Sequence, residues 1–328
     1  MYIEEQDICQ KQSQYPNNPP PHFSSAIIFS MIFITGGTGF IGSALIQHLN
    51  RLGMPVRVML RPSGHSPNLP KSIPMDAAIC TLQDQRALKA ALKNIEVIYH
   101  LASDESKGSR ANLTEVDIEG TSAIIQAAKE SRVKKIIYLS HLGAAPTSAF
   151  PVLRAKGIAE NLIIKSGIPY TILRSSIAFG KQDHFTTSLA SLIQFSPIFF
   201  LIPGDGSTLL QPIWIDDLIN CLVWVLNDKN LDNQVISIGG PEYLQFIDIV
   251  ELIMKTTKIR RKIINTNPIN LKLFTIFLEQ YFYKWLPVSS FWMDYLSTDR
   301  IASIDTLPRL FNLLPARMAP NLSYLLEK

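Results

Sequence analysis

The sequence predicts an α/β fold built on a doubly wound parallel sheet, and three observations carry that prediction. Short apolar runs without polar alternation recur along the chain. Helical patterns of about 10–15 residues separate them, and a glycine-rich turn joins the first run to the first helical pattern. The runs at 31–35, 56–60, 77–80, 95–101, 135–140 and 170–173 read as strands covered on both faces. The patterns at 44–52, 87–93, 118–131 and 154–166 read as the helices between them. A seventh strand, 234–238, follows a helix opened by Asp216 and Asp217, which are expected to cap it. Crossovers between parallel strands are right-handed, so the helices cover both faces of the sheet.

At 328 residues the chain is long enough for one large domain or two intimate ones. Hydrophobic residues make up 47% and charged residues 18%, which excludes a disordered or coiled-coil protein. The balance of 31 basic against 27 acidic residues, net +4, is too mild for a nucleic-acid binder. Cys9, Cys80 and Cys221 lie far apart with no Cys/His cluster, so neither a disulfide framework nor a metal site is expected. A reducing, cytoplasmic location is the matching expectation. No apolar run reaches the roughly 18–20 residues needed to span a bilayer. Residues 1–30 are proline-rich, carry Glu4, Glu5 and Asp7 and lack arginine, unlike a signal or transit peptide. They are expected to form a disordered leader, with the fold beginning at Met31.

The turn Thr35-Gly36-Gly37-Thr38-Gly39-Phe40-Ile41-Gly42 carries the strongest chemical signal. It has the strand–turn–helix setting that a dinucleotide fingerprint requires. Gly36 is expected to permit the tight turn, Gly39 to admit a diphosphate to the backbone, and Gly42 to let helix and strand pack closely. Exposed amides and the helix dipole then stabilise the phosphate charge. Such a Rossmann site for NAD usually carries an acid about 20 residues beyond the loop. Here the second strand ends at Leu60-Arg61-Pro62-Ser63. Arg61 is suited to a 2′-phosphate through charge-assisted hydrogen bonds, so NADP is expected over NAD.

Further motifs extend the pattern: Tyr99-His100-Leu101-Ala102, Val116-Asp117-Ile118-Glu119-Gly120-Thr121, Tyr138-Leu139-Ser140, Tyr170-Thr171-Ile172-Leu173-Arg174 and Gln211-Pro212-Ile213-Trp214-Ile215-Asp216-Asp217. With the glycine turn, they resemble the extended and atypical short-chain dehydrogenase/reductases from Met31 to about Pro241. Ser140-His141-Leu142 and Leu153-Arg154-Ala155-Lys156 resemble most closely the branch of the complex I nucleotide-binding accessory subunit, photosystem assembly factors and NmrA-like proteins. The resemblance implies that Leu101 and Ala102 border the cofactor and that Ser140 is the active-site serine. It also implies that Arg174-Ser175-Ser176-Ile177 runs near the nicotinamide. Two positions depart from the family pattern. Thr81 stands where an aspartate often holds the adenine, and Val152 stands where the Tyr-x-x-x-Lys dyad has its tyrosine, although Lys156 is present.

Hydride transfer to a carbonyl leaves an alkoxide that needs a proton, and valine has none to give. The expected catalytic set is therefore Lys156, with its pKa lowered by burial, Ser140 as hydrogen-bond donor to the oxyanion, and His141 as proton shuttle. Each has a plainer alternative. Lys156 would only hold ribose hydroxyls, Ser140 would satisfy backbone at a strand end, and His141 would be structural. His100 reads as a hydrogen-bonded core residue. The expected activity is NADPH-dependent reduction of a hydrophobic carbonyl or quinone-like substrate. The alternative is a non-catalytic NADP(H)-binding module for assembly or redox sensing in a membrane complex. Epimerase or dehydratase chemistry is disfavoured by the missing phenol.

By this reading residues 31–240 form the NAD(P)-binding domain, with part of 180–213 contributing to a substrate lobe. Residues 241–328 form a smaller helical lobe for substrate or partner. Lys255, Lys258, Arg260, Arg261, Lys262 and Lys272 precede Phe274, Phe277, Leu278, Tyr281, Phe282 and Trp285 at helical spacing, until Pro287 ends the pattern. This stripe is expected to pack on its own lobe and wall the substrate pocket. The alternative is a peripheral contact of 255–285 with anionic lipid or a membrane complex.

Overall fold

In a computed structural model, which describes residues 31–63, 69, 74–282 and 289–327, the expected sheet is present. Its strands are β1 (Met31–Thr35), β2 (Val56–Leu60), β3 (Asp76–Ile79), β4 (Ile95–His100), β5 (Lys135–His141), β6 (Tyr170–Ser175) and β11 (Gln234–Ile238). The spatial order is β11-β6-β5-β4-β1-β2-β3 and every pairing is parallel. Short strands β7 (Ala178–Phe179), β8 (Phe199–Pro203), β9 (Leu209–Leu210), β10 (Ile213–Trp214), β12 (Leu244–Gln245) and β13 (Lys262–Thr266) form three further two-stranded ladders, β10-β7, β12-β9 and β13-β8. The strand order reverses between β1 and β4, and ligands of such sheets bind in the crevice at that point.

The crossovers are α1 (Phe40–Arg51), α2 (Gln85–Ala91), α3 (Gly120–Glu130), α4 (Pro151–Ile164) and α6 (Ile215–Asn227), with α5 (Thr186–Phe195) in the segment between β7 and β8. Several begin earlier than apolar spacing suggests, for local reasons. The last glycine of the turn, Gly42, lies inside α1, so the helix starts four residues before its apolar stripe. The Asp84 carboxylate accepts the Ala87 amide at 3.0 Å and starts α2 at Gln85. Pro151 opens α4, where its missing N–H costs nothing. Two apolar clusters sandwich the sheet, one with Ile34, Leu45, Ile46 and Leu222, the other with Phe33, Ile98, Ile124 and Ile136. His100 is fully buried, with Nδ1 2.7 Å from Thr35 Oγ1 and Nε2 2.9 Å from Thr121 Oγ1, as a core residue tying β1, β4 and α3. Burial, then the Lys156 charge, pushes its pKa down to about 3, so it is neutral.

A third cluster brings Phe185, Leu189, Ile193 and Phe200 together with Phe246, Ile249, Ile253 and Leu322. The second lobe is thus assembled from both sides of β11. It contains α7 (Phe246–Thr257), α8 (Pro268–Phe282) and α9 (Phe291–Tyr295), while α10 (Thr306–Phe311) returns to pack Leu307 and Phe311 on the sheet cluster. It is not purely helical, because Lys262–Thr266, within the basic segment, pairs as β13 with β8. The expected leader, Trp285 and Pro287 lie outside the described residues.

Two expectations are corrected here. Asp216 and Asp217 do not cap α6: the N-cap is Trp214, and both acids lie in the first turn. Asp216 accepts the Trp214 indole N–H at 3.1 Å, and Asp217 accepts the Ala316 amide at 2.7 Å. The stripe of α8 does not wall the pocket, because Phe274, Phe277, Tyr281 and Phe282 face outward.

Asp217 is buried, and that burial pushes its pKa from 3.8 up to about 6, against the Ala316 hydrogen bond. Between those values the native chain holds a proton that the unfolded chain has released, so stability falls as pH rises through the window. Asp217→Asn is expected to flatten this dependence and to raise stability at pH 7 by about 1–2 kcal/mol. Urea denaturation at pH 4 and pH 7 measures both effects.

Candidate functional site

A cavity of about 1040 Å³ opens at the C-terminal ends of β1, β4, β5 and β6, at the reversal of strand order. Gly36, Thr38, Gly39, Phe40, Ile41 and Gly42 line it, with Arg61, Leu101, Ala102, Ser140, His141, Lys156, Ser175 and Ile177. Gly37 does not. A side chain there would meet Val58 Cγ1 at 2.5 Å, so this glycine serves helix–sheet packing. Gly36 has φ +74°, and a Cβ on it would stand 2.7 Å from the Leu101 carbonyl. A Cβ on Gly42 would lie 2.2 Å from the Gly36 carbonyl oxygen. No side chain caps α1 at Gly39, which leaves its first-turn amides for a ligand. A cradle with no room for Cβ atoms and an uncapped helix start fits a dinucleotide diphosphate.

Arg61 sits at the edge, half exposed, with Nη1 3.8 Å from Asp104 Oδ1. Asp104 is held more closely by Lys107 Nζ at 2.8 Å. Thr81 does not reach the cavity, and Leu60 and Ile79 line this end instead. Arg174 is also turned away. Its guanidinium pairs with the buried Glu160 carboxylate, with Nη2 at 2.6 Å and Nε at 3.0 Å.

At the opposite end lies a buried electrostatic cluster. Lys156 Nζ is 3.4 Å from Asp117 Oδ1 and 5.4 Å from the centre of the Tyr138 ring. His141 Nε2 meets Glu105 Oε2 at 2.7 Å. Burial disfavours the Lys156 charge, but Tyr138, Asp117 and Glu105 together outweigh it and raise the pKa. The expected depression is therefore corrected: Lys156 is a fixed ammonium near neutral pH. Burial also opposes ionisation of Glu105, yet His141 and Lys156 hold its pKa down at about 2. Burial lifts the Tyr138 phenol to about 12, with Lys156 opposing.

Ser140 Oγ and His141 Nδ1 are buried without a hydrogen-bond partner, and Ser176 Oγ and the Tyr295 hydroxyl are buried with no partner but each other. All four residues line the cavity, and unsatisfied polar atoms gathered in one place call for a ligand. Val152 lines the wall, and among the described residues the phenol that faces the cavity is Tyr295 of α9. Its ring stands edge-on to His141 at 6.0 Å, and the Arg300 guanidinium lies 5.4 Å from its centre. Burial raises the Tyr295 pKa, with Arg300 pulling the other way. Phe150, Phe185, Phe291 and Trp292 give this end an apolar roof, Phe185 and Trp292 being 5.2 Å apart. Asp117 and Tyr138 stand inside quoted motifs, but only contact geometry reveals their pairing with Lys156. Glu105 and Tyr295 carry no local signal at all. No group of His, Cys, Asp or Glu able to hold a metal occurs among the described residues.

The fold and this cleft define an NAD(P)-binding Rossmann domain of oxidoreductase type, and comparison with known proteins agrees. Residues 36–186 match the family model described as NAD(P)H-binding. The relatives agree with the resemblance to the atypical short-chain dehydrogenase/reductases. The chain is 26% identical over 228 residues to the mitochondrial NADH dehydrogenase [ubiquinone] 1 alpha subcomplex subunit 9 of Arabidopsis thaliana, a match over 67% of this chain and 56% of that protein. It is 25% identical over 221 residues to the NAD(P)H azoreductase of Xenophilus azovorans, covering 67% of this chain and 71% of that one. Among solved structures, an epimerase from Methanothermobacter thermautotrophicus superimposes with a TM-score of 0.71 at 17% identity, over 90% of both chains, a likeness of fold.

Gly42→Ala is expected to force the Gly36 carbonyl aside, costing about 1–3 kcal/mol of stability. Thermal unfolding of the purified variant measures the loss, and an unchanged midpoint contradicts the packing described.

Proposed function

We propose that the chain is an NAD(P)H-dependent reductase of a hydrophobic carbonyl or quinone-like substrate. The observation that carries this reading is the continuity of one cavity from the glycine turn to the unpartnered Ser140 hydroxyl beneath an apolar roof. Gly36, Gly39 and the first amides of α1 would hold the diphosphate, and the bound nicotinamide would supply a hydride. Ser140 Oγ donates a hydrogen bond to the oxygen that gains negative charge, an interaction worth about 3 kcal/mol of barrier in a dry site. Lys156, kept charged by Asp117, holds ribose hydroxyls and stabilises the same oxygen, rather than acting as a base. The proton comes from His141, whose Nε2 is held 2.7 Å from Glu105 Oε2. Phe150, Phe185 and Trp292 exclude water and select an apolar substrate. NADP is the preferred form, through Arg61 and the 2′-phosphate.

A second reading, a non-catalytic NADP(H)-binding module within a membrane complex, is favoured by Val152 and by likeness to the complex I subunit. Turnover separates the two. NADPH oxidation with a panel of carbonyls and quinones is expected in the wild type. In Lys156→Ala it should fall by about 100-fold while NADPH still binds. NADPH retention without turnover by any substrate favours the module.

Arg61→Ala is expected to weaken NADPH about tenfold and to leave NADH unchanged, by calorimetric titration. Equal loss of both removes Arg61 from 2′-phosphate recognition.

A further inference from the structure

The amphipathicity of α8 is inverted. The side chains it buries are polar: Thr275 and Glu279, one turn apart. Thr275 Oγ1 donates to the Leu271 carbonyl at 2.9 Å. Glu279 accepts the Ser109 amide at 3.0 Å, the Ser290 amide at 2.6 Å and the Ser290 hydroxyl at 2.9 Å. These bonds fasten the helix to the Glu105–Arg110 turn, where Gly108 leaves room for the carboxylate. The opposite face is apolar and open to solvent: Ile269, Leu273, Phe274, Phe277, Tyr281 and Phe282 are between 54% and 69% exposed. The ladder that feeds α8 adds to this surface. Phe199 and Leu201, on one face of β8, and Phe195 and Ile198 before it are exposed as well.

Single exposed hydrophobes are ordinary, but a contiguous set of this size marks an interaction surface. Its charge says which kind. Lys255, Lys258, Arg260 and Lys262, leading into α8, are exposed and make no ion pair among the described residues. From 252 to 282 the one acid is Glu279, turned into the protein. An apolar ridge flanked by exposed cations that make no ion pair among the described residues is complementary to an anionic lipid bilayer. Acyl chains receive the aromatic side chains and headgroups neutralise the lysines.

We propose that the outer face of α8, with this basic flank, docks the chain peripherally on an anionic membrane. No helix among the described residues is long and apolar enough to cross a bilayer, so the contact lies in the interface plane. The anchoring turn also carries Glu105 and Ser106, which line the cavity. Docking therefore brings the apolar end of the cavity close to the lipid phase.

Co-sedimentation of the full chain with vesicles tests this, using phosphatidylcholine alone or with about one third phosphatidylglycerol. Binding is expected to the mixed vesicles, at least about tenfold tighter than to neutral ones and weakened by salt. Phe274→Glu/Phe277→Glu alters exposed positions only. It is expected to abolish binding while circular dichroism and the thermal midpoint stay unchanged. Lys258→Glu/Arg260→Glu should weaken binding about tenfold and keep the fold. Equal binding to both vesicle types, or binding unaffected by the aromatic variant, overturns the proposal. So does absence of vesicle binding, whether the chain stays monomeric or forms a concentration-dependent dimer that the aromatic variant dissolves.

Discussion

Everything at the cleft follows from one close approach. The end of β1 and the end of β4 come together so tightly at Gly36 that a Cβ would lie 2.7 Å from the Leu101 carbonyl. The Leu101 amide donates to the Thr35 carbonyl at 3.2 Å, and the Ala102 amide to Thr35 Oγ1 at 3.2 Å, so the two strand ends are locked together. Thr35 Oγ1 also meets His100, which reaches Thr121 on α3. A residue with a side chain at 36 would pry the strands apart at the point where the order reverses. The crevice, its uncapped helix start and the wall formed by Leu101 and Ala102 all depend on that contact.

The far end of the cavity obeys a different constraint, the need to satisfy charge inside a packed protein. Lys156 is buried, and an isolated buried ammonium would lose its proton. Tyr138, Asp117 and Glu105 together reverse that outcome and raise the Lys156 pKa against the desolvation cost. Lys156 thereby becomes an immobile positive charge in the same cavity as the unpartnered Ser140 hydroxyl. That is a site prepared for a developing anion without reorganisation. Tyr295 enters from the second lobe and presents its phenol in a chain whose position 152 is valine.

Within the second lobe, the inner face of α8 is held by polar contacts. Glu279 accepts hydrogen bonds from two backbone amides and a hydroxyl, fixing α8 without using any of its large aromatic side chains. Those side chains remain available, which is why the helix differs from the pocket wall that its spacing suggests. Periodicity shows that a helix has an apolar stripe but carries no information on which way the stripe points.

The sequence alone was enough for the parallel sheet and the glycine turn. These rest on short-range requirements: unbroken apolar runs, a positive φ at Gly36 and the lack of space at Gly42, each borne by neighbouring residues. Tertiary structure alone decided the state of Lys156, the partnership of His141 with Glu105 36 residues away, the entry of Tyr295 and the outward turn of α8. Charge and exposure belong to the surroundings of a side chain, and those surroundings come from segments that meet only when the chain has folded.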